Sequence, residues 1–203
     1  MKQAATTVLP RSVLALPCLA FCHSAVNAQS TVQWSQRAIS GPPGRSAAAI
    51  AYDSARQVTV LFGGTGSAGS LGDTWEYNGT TWTQRPVAGP SARPDAAMCF
   101  DSDRSVCMLF GGGQQFASLN DSWEWDGSAW TSRGLSAVYR YGHRLVYDPV
   151  RHEGLICGGY DNLGQLALHH CSWNGSSWSE GFTPATAFAF FGAAYDSVAQ
   201  RTV

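Results

Sequence analysis

The chain has 203 residues, of which 44% are hydrophobic and only 13% are charged, and its formal net charge is -1. Globular proteins average about 25% charged residues, so uncharged residues such as Gly, Ser, Thr, Asn and Gln must form much of this protein's surface. The near-neutral charge, without a basic cluster, excludes a nucleic-acid-binding surface, and no run of 18 apolar residues is present to span a membrane. The 22 glycines and 8 tryptophans argue against long helices and coiled coils.

The first 28 residues have the features of a secretory signal peptide. Lys2 and Arg11 supply positive charge, residues 13–22 form a short apolar segment, and a small-residue cleavage site ends at Ala28. A lipid anchor is the alternative, but neither early cysteine follows the small residue that lipidation requires. We therefore predict a secreted, periplasmic or cell-surface protein, whose mature chain keeps four of the six cysteines in an oxidising compartment.

The rest of the chain repeats every 48 residues. This interval separates Trp34, Trp82, Trp130 and Trp178, and a double glycine follows an apolar run at Gly63-Gly64, Gly111-Gly112 and Gly158-Gly159. The complete units are residues 41–88, 89–136 and 137–183, with a single strand at 31–37 before them and half a unit at 184–203 after them. Such self-similarity at a fixed period indicates a repeat architecture.

Each unit is predicted to contain four short strands. In the first unit they are residues 47–52, 58–62, 75–77 and 81–85, with a Gly-rich loop over 63–73 and a hairpin turn at Asn78-Gly79. Asp126-Gly127 and Asn174-Gly175 repeat that turn. The first strands are rich in alanine, which suits the crowded innermost strand of a propeller blade.

These features resemble those of kelch-repeat propellers, the fold of the central domain of galactose oxidase. The resemblance rests on the double glycine after an apolar strand, the tryptophan that follows it (Trp75 or Trp123) and the closing tryptophan (Trp82, Trp130 or Trp178). It covers residues 31–203 and implies an all-β fold of four-stranded antiparallel blades, in which an N-terminal strand carrying Trp34 would complete the last blade.

Three and a half blades are fewer than the roughly 4 to 8 that close a ring. We therefore predict that the sequence is the front part of a longer protein with further blades. Assembly of two copies into one ring is the alternative.

The four mature cysteines are predicted to form two disulfides. Cys157 and Cys171 occupy positions on neighbouring strands that are aromatic in the other units, which indicates a bonded pair within the third unit. Cys99 and Cys107 flank one turn and form the second candidate pair. Buried free thiols are the alternative for both pairs. No metal site is predicted, because no C-x-x-C pair is present and adjacent His169 and His170 would point to opposite faces of a strand.

An arginine precedes the first strand of every complete unit, at Arg45, Arg93 and Arg140. In kelch propellers this position lies near the mouth of the central channel, so the three guanidinium groups could bind the carboxylates of an acidic ligand. The alternative is a structural bond from each arginine to its neighbouring loops.

Positions that differ between units are the better candidates for ligand binding. Tyr139, Tyr141 and His143 surround Arg140, and the loops after the double glycines carry Asp161 and Asn162 in unit three and Gln114, Gln115 and Phe116 in unit two. Aromatic and amide side chains on one face suit sugars, whose rings stack and whose hydroxyls need donors and acceptors. Ordinary loop variation is the alternative.

No catalytic, phosphate-binding or cofactor motif is present in the sequence. The copper-radical relatives of galactose oxidase need a cross-linked Tyr–Cys pair with histidine ligands, and no matching set can be assigned. We therefore predict an exported binding module without a cofactor, which recognises a protein or a glycan through loops on one propeller face. The alternatives are a secreted enzyme acting on sugars or alcohols, with its catalytic groups in further blades, and a purely structural module of a surface protein.

Overall fold

The computed structural model describes residues 40–114, 117–167, 169–181 and 189–203, all within the compact unit Ala38–Val203. The predicted signal peptide, the strand at 31–37 with Trp34, and Gln115 and Phe116 lie outside these residues. The described residues form β-strands joined by turns and loops. None of them belongs to a helix of the length and apolarity that crossing a membrane requires.

The first sheet is antiparallel, with its four strands adjacent in chain order. They are β1 (Ala49–Asp53), β2 (Val58–Gly66), β3 (Gly69–Tyr77) and β4 (Trp82–Arg85). The predicted loop over 63–73 is wrong in extent, because β2 and β3 stay paired beyond the double glycine, with a bulge between Phe62 and Gly64. A Cβ atom on Gly64 would lie 2.5 Å from the carbonyl oxygen of Ser46, so glycine is required where the bulge touches the segment before β1.

The second and third sheets repeat this pattern in the next two units. The second comprises β5 (Ala97–Asp101), β6 (Val106–Phe110), β7 (Gly113–Gln114), β8 (Ala117–Trp125) and β9 (Trp130–Arg140). In it, the short β7 pairs with the first residues of β8. The third comprises β10 (Arg144–Asp148), β11 (Glu153–Cys157), β12 (Cys171–Trp173) and β13 (Trp178–Glu180). The pair β14 (Tyr195–Asp196) and β15 (Arg201–Thr202) follows. The described chain is thus all-β, with consecutive antiparallel sheets that are consistent with propeller-like blades.

Each predicted hairpin turn is present, as a four-residue loop in which an acceptor side chain binds the backbone. Asn78 Oδ1 accepts hydrogen bonds from the N–H groups of Thr80 and Thr81, at 3.0 and 2.9 Å. Asp126 and Asn174 do the same in the other two sheets. Asn and Asp are interchangeable here because the turn uses the side-chain oxygen, and only the following glycine has a positive φ.

Two apolar cores lie between the faces of successive sheets. One joins residues such as Val60 and Phe62 of the first sheet to Leu109 and Trp125 of the second. The other joins the second and third sheets and includes Phe110, Ile156 and Trp173.

The closing tryptophans link each sheet to the one before it. The ring of Trp130 packs on Phe62, with centroids 5.4 Å apart, and its indole N–H donates to Thr74 Oγ1 over 2.9 Å. Trp178 packs in the same way on Phe110, at 4.8 Å. The tryptophans that recur every 48 residues therefore hold neighbouring sheets together.

The predicted disulfides are wrong in this structure, where the four cysteines among the described residues are free thiols. Cys171 pairs with Ile156, so it shares a face with Ile156, and Cys157 points to the opposite face. Cys99 pairs with Met108, one residue beyond Cys107, and the two thiols lie in different cores. A shift of one residue in register moves a side chain to the other face of a sheet. Aligning the repeat units of the sequence with one another did not determine the register to that precision.

Candidate functional site

The segments that lead into β1, β5, β10 and β14 are joined side by side by main-chain hydrogen bonds. Asp95 N donates to Ala47 O over 2.9 Å, Gly142 N to Asp95 O over 3.2 Å, and Phe190 N to Gly142 O over 2.9 Å. The four residues in these bonds, Ala47, Asp95, Gly142 and Phe190, all have a positive φ, between 54° and 63°. The same contact thus recurs from each unit to the next, and we call this series the hub ladder.

A bidentate ion pair anchors the start of each of the first two sheets. Arg45 binds both carboxylate oxygens of Asp73, at 2.6 and 2.9 Å, and Arg93 binds Asp121 in the same way. The carboxylate also accepts an indole N–H two residues on, from Trp75 at 2.6 Å in the first sheet. The hydrogen bond from Arg45 lowers the pKa of Asp73, so this carboxylate is ionised at neutral pH.

These pairs leave little of the first two arginines for a ligand. Arg93 uses all five N–H donors on Ser91, Gly111 and Asp121, and its side chain is 1% exposed. Arg45 is 5% exposed and also donates to Pro43 O and Gly63 O. Arg45 and Arg93 therefore make structural bonds to neighbouring loops, which was the alternative to ligand binding. An acidic ligand has no access to these two guanidinium groups.

The third sheet has lost this ion pair. His169 stands where the aspartates stand in the other sheets, and among the described residues Arg140 donates only to the carbonyl oxygens of Tyr139 and His169, at 2.8 and 3.2 Å. Its buried Nε has no hydrogen-bond partner in the part of the chain that the structure describes, and burial lowers the pKa of Arg140. The tryptophan is replaced as well, by Cys171, and a cavity of about 280 Å³ lies beside that shorter side chain, against β9.

A larger cavity, of about 480 Å³, opens between the loops of the second and third sheets. We call it the mouth cavity, and its walls include Asp95, Ser118, Tyr141, Asp161, Asn162 and Leu163. The segments before β5 and β10 supply Asp95 and Tyr141, and the loop after Gly158-Gly159 supplies the residues from Asp161 onward. The volume lies in the range of small-molecule sites, with an aromatic ring beside several polar groups.

The loop wall of the mouth cavity is built on Asp161. Its Oδ1 accepts hydrogen bonds from the N–H groups of Leu163 and Gln165, at 2.8 and 2.9 Å, and its carbonyl oxygen accepts one from Ser118 Oγ at 2.9 Å. Asp161 therefore shapes the loop and ties it to the second sheet. Asn162, at the tip of that loop, is exposed.

The aromatic wall is held by a second set of contacts. Tyr141 and Tyr160 pair through their backbones, at 3.1 and 2.9 Å, and their rings stack with centroids 5.3 Å apart. Phe190 packs against Tyr160 on the far side, at 6.0 Å. Tyr141 thus presents an aromatic surface that is packed against Tyr160.

The structure separates the predicted ligand-binding residues into two groups. Tyr141, Asp161 and Asn162 line the mouth cavity, and the backbone of Gln114 pairs with Ala117 at its edge. Tyr139 lies outside it on β9, 38% exposed. His143 is buried against Phe110, and burial, followed by the charges of Arg140 and Arg144, lowers its pKa to about 3. His143 is therefore a neutral side chain between the sheets.

Sequence reasoning missed Asp95, Ser118 and Leu163 as lining residues. Asp95 could have been found, since the other units have Ala47 and Gly142 at its repeat position. Leu163 carried no comparable signal, because loop length and composition change from unit to unit. Among the residues that the structure describes, no group of three or more His, Cys, Asp or Glu side chains is placed to hold a metal ion.

No family model matches the chain, and no curated protein matches it. Among solved structures it is similar to that of YjhT, with a TM-score of 0.63 at 15% sequence identity. The match covers 75% of this chain and 56% of that one, so this chain spans little more than half the length of the structure that it matches. At this level of identity the likeness bears on the fold alone, and it agrees with an all-β chain of antiparallel sheets arranged like propeller blades.

Proposed function

We propose that the protein is an exported kelch-type propeller module that binds a carbohydrate in the mouth cavity. The observation that carries the proposal is the cavity of about 480 Å³ formed where two sets of loops meet. The signal-like residues 1–28 support export, and the spaced double glycines and tryptophans support the kelch assignment.

The composition of the walls favours a sugar over a purely apolar ligand. Tyr141 offers a ring face held by its stack on Tyr160, and sugar C–H groups pack well on such a surface. Asn162 can both donate and accept hydrogen bonds, and the carboxylate of Asp95 can accept them. A few polar groups beside an aromatic ring are typical of pockets that orient a small polar ligand.

The proposal can be tested by screening the purified protein on a glycan array and measuring the affinity of any hit by isothermal titration calorimetry. Asn162→Ala should weaken binding about fivefold to tenfold, because it removes an amide from an exposed loop without touching a core. Tyr141→Ala should weaken it more, by removing the stacking surface. Tyr52→Ala, which changes a 57% exposed tyrosine on β1, is the control and should leave affinity unchanged.

Two results would contradict the proposal. Failure of every glycan to bind would remove the carbohydrate assignment. Binding that Asn162→Ala and Tyr141→Ala both leave intact, with the variants folded by circular dichroism, would move the ligand away from the mouth cavity.

A further inference from the structure

The hub ladder does not depend on the side chains of the residues that form it. Ala47, Asp95, Gly142 and Phe190 share one backbone conformation and one set of main-chain hydrogen bonds, although their side chains are a methyl, a carboxylate, a hydrogen and a phenyl ring. Nothing in this repeated contact requires a carboxylate at position 95.

The carboxylate of Asp95 is also unpaired. It is half-buried in the wall of the mouth cavity, and no hydrogen bond or ion pair to its oxygens is present among the described residues. Burial raises the pKa of Asp95, and the positive charge of Arg144 only partly opposes that shift. A desolvated carboxylate without donors destabilises a fold.

The neighbouring aspartates show the contrast. Asp73 and Asp121 each bind two nitrogens of an arginine and accept an indole N–H. Their removal would break a structural contact, whereas removal of the Asp95 carboxylate would break none. A half-buried carboxylate that binds no other described side chain and faces a cavity is explained by a ligand that donates hydrogen bonds to it.

We infer that Asp95 is the ligand-binding carboxylate of the mouth cavity and that it selects a neutral sugar, whose adjacent ring hydroxyls donate to its two oxygens. This inference rests on the proposed function and adds the residue and the ligand class. Hydroxyl groups are donors of suitable spacing for a carboxylate, and such charge-assisted hydrogen bonds are stronger than neutral ones.

The charge of the cavity disfavours an acidic sugar. Among the described residues, its walls carry Asp95 and Asp161 and no lysine or arginine. The guanidinium groups of Arg45 and Arg93 are already bound to Asp73 and Asp121. Arg144, which is not among the lining residues, only partly offsets the charge of Asp95, so a ligand carboxylate would meet mainly like charge.

The test combines affinity with stability in two matched variants. Asp95→Asn keeps the size of the side chain and tolerates a positive φ. Asp126→Asn makes the same chemical change at a hairpin turn where the equivalent positions, Asn78 and Asn174, already carry asparagine. The probes are the methyl glycosides of glucose, galactose, mannose, N-acetylglucosamine and glucuronic acid, measured by calorimetry, with Tm measured without ligand.

We expect the wild type to bind at least one neutral glycoside at least tenfold more tightly than the glucuronide. Asp95→Asn should weaken that binding by tenfold or more while its Tm stays equal to the wild-type value or rises by about 1 to 3 °C. Asp126→Asn should change neither quantity.

The outcomes separate the two proposals. Unchanged affinity in Asp95→Asn, or a fall in its Tm, overturns the role of Asp95 and leaves carbohydrate binding in place. Preferred binding of the glucuronide overturns the ligand class. Absence of binding by the wild type to every glycoside overturns the proposed function, and the neutral-sugar inference with it.

Discussion

The indole N–H of Trp125, in the second sheet, donates to the buried carboxylate of Glu76, in the first, over 2.9 Å. One repeat later, Trp173 donates to Glu124 over a longer distance, 3.3 Å. Each glutamate also binds two arginines of its own sheet, Arg56 and Arg85 in the case of Glu76. A polar contact inside an apolar core thus fixes how one sheet sits on the next.

Trp125→Phe should lower the free energy of unfolding by about 2 kcal/mol, because it removes a donor from a buried charged acceptor and leaves a gap in the core. Trp173→Phe should lower the free energy of unfolding by less, since the hydrogen bond of Trp173 is longer. Urea denaturation followed by fluorescence and circular dichroism measures both. A larger loss for Trp173→Phe would mean that the glutamate contact is not what distinguishes the two positions.

The third sheet should be stabilised by restoring its lost ion pair. His169→Asp places a carboxylate where Asp73 and Asp121 stand in the other sheets, opposite the buried Arg140. We expect an increase of roughly 1.5 kcal/mol in the free energy of unfolding, the size of a hydrogen bond to a charged group.

Asp121→Asn is the matched opposite change in the second sheet. It leaves the 1% exposed Arg93 without its carboxylate and should destabilise the protein by about 3 kcal/mol. If His169→Asp lowers stability as Asp121→Asn does, the third sheet does not follow the geometry of the other two.

Stability should fall as the pH is lowered below the usual carboxyl range. Burial alone would raise the pKa of Glu76, but hydrogen bonds from Arg56, Trp125 and Arg85 outweigh it and lower the pKa. A lowered folded-state pKa stabilises the protein fully above the unfolded-state value, about 4.3, and the gain is lost as pH falls through the folded-state pKa. Thermal melts from pH 7 to pH 2.5 should show this loss.

Glu76→Gln provides the comparison for the acid series. It should have a lower Tm than the wild type at pH 7 and a shallower decrease toward low pH, because part of the titrating stabilisation is gone. Parallel curves for the two proteins would show that Glu76 does not contribute to the acid sensitivity.

All four cysteines of the described chain should be free. Alkylation in denaturant without reductant, followed by peptide mass spectrometry, should modify Cys99, Cys107, Cys157 and Cys171 completely, and dithiothreitol should not change Tm. A peptide in which Cys157 and Cys171 stay linked would contradict the register that places them on opposite faces.

The sequence predicted much of the scaffold because its signals were local or strictly periodic. Repeated Asp and Asn turns, apolar strands and spaced tryptophans place the three consecutive antiparallel sheets, although the second has a fifth strand, β7, that the sequence did not predict. The extent of β2 and β3 was missed, because glycines that usually end a strand here form a bulge inside a longer hairpin.

Side-chain partners were harder to predict, because they depend on register and on contacts between units. Phe62 and Trp75 stand at the positions of Cys157 and Cys171 in the first unit, but they face opposite sides of their sheet, and Phe62 packs on Trp130 of the next sheet. For the candidate site, Tyr141 and Asn162 were found from their departure from the repeat. Asp95 departs from it as clearly, and only the three-dimensional placement at the cavity shows why that departure matters.

The hub ladder has a practical consequence for protein engineering. Because only main-chain groups make its hydrogen bonds, positions 47 and 95 can be randomised together with Asn162 while the scaffold is held constant. Gly142 is kept, since a Cβ atom there would lie 2.8 Å from the ring of Phe190. Residues that tolerate a positive φ, such as Asn, Asp and Gly, should be over-represented among the folded members of such a library. Selection from it on immobilised sugars would yield binders of altered specificity from one unchanged framework.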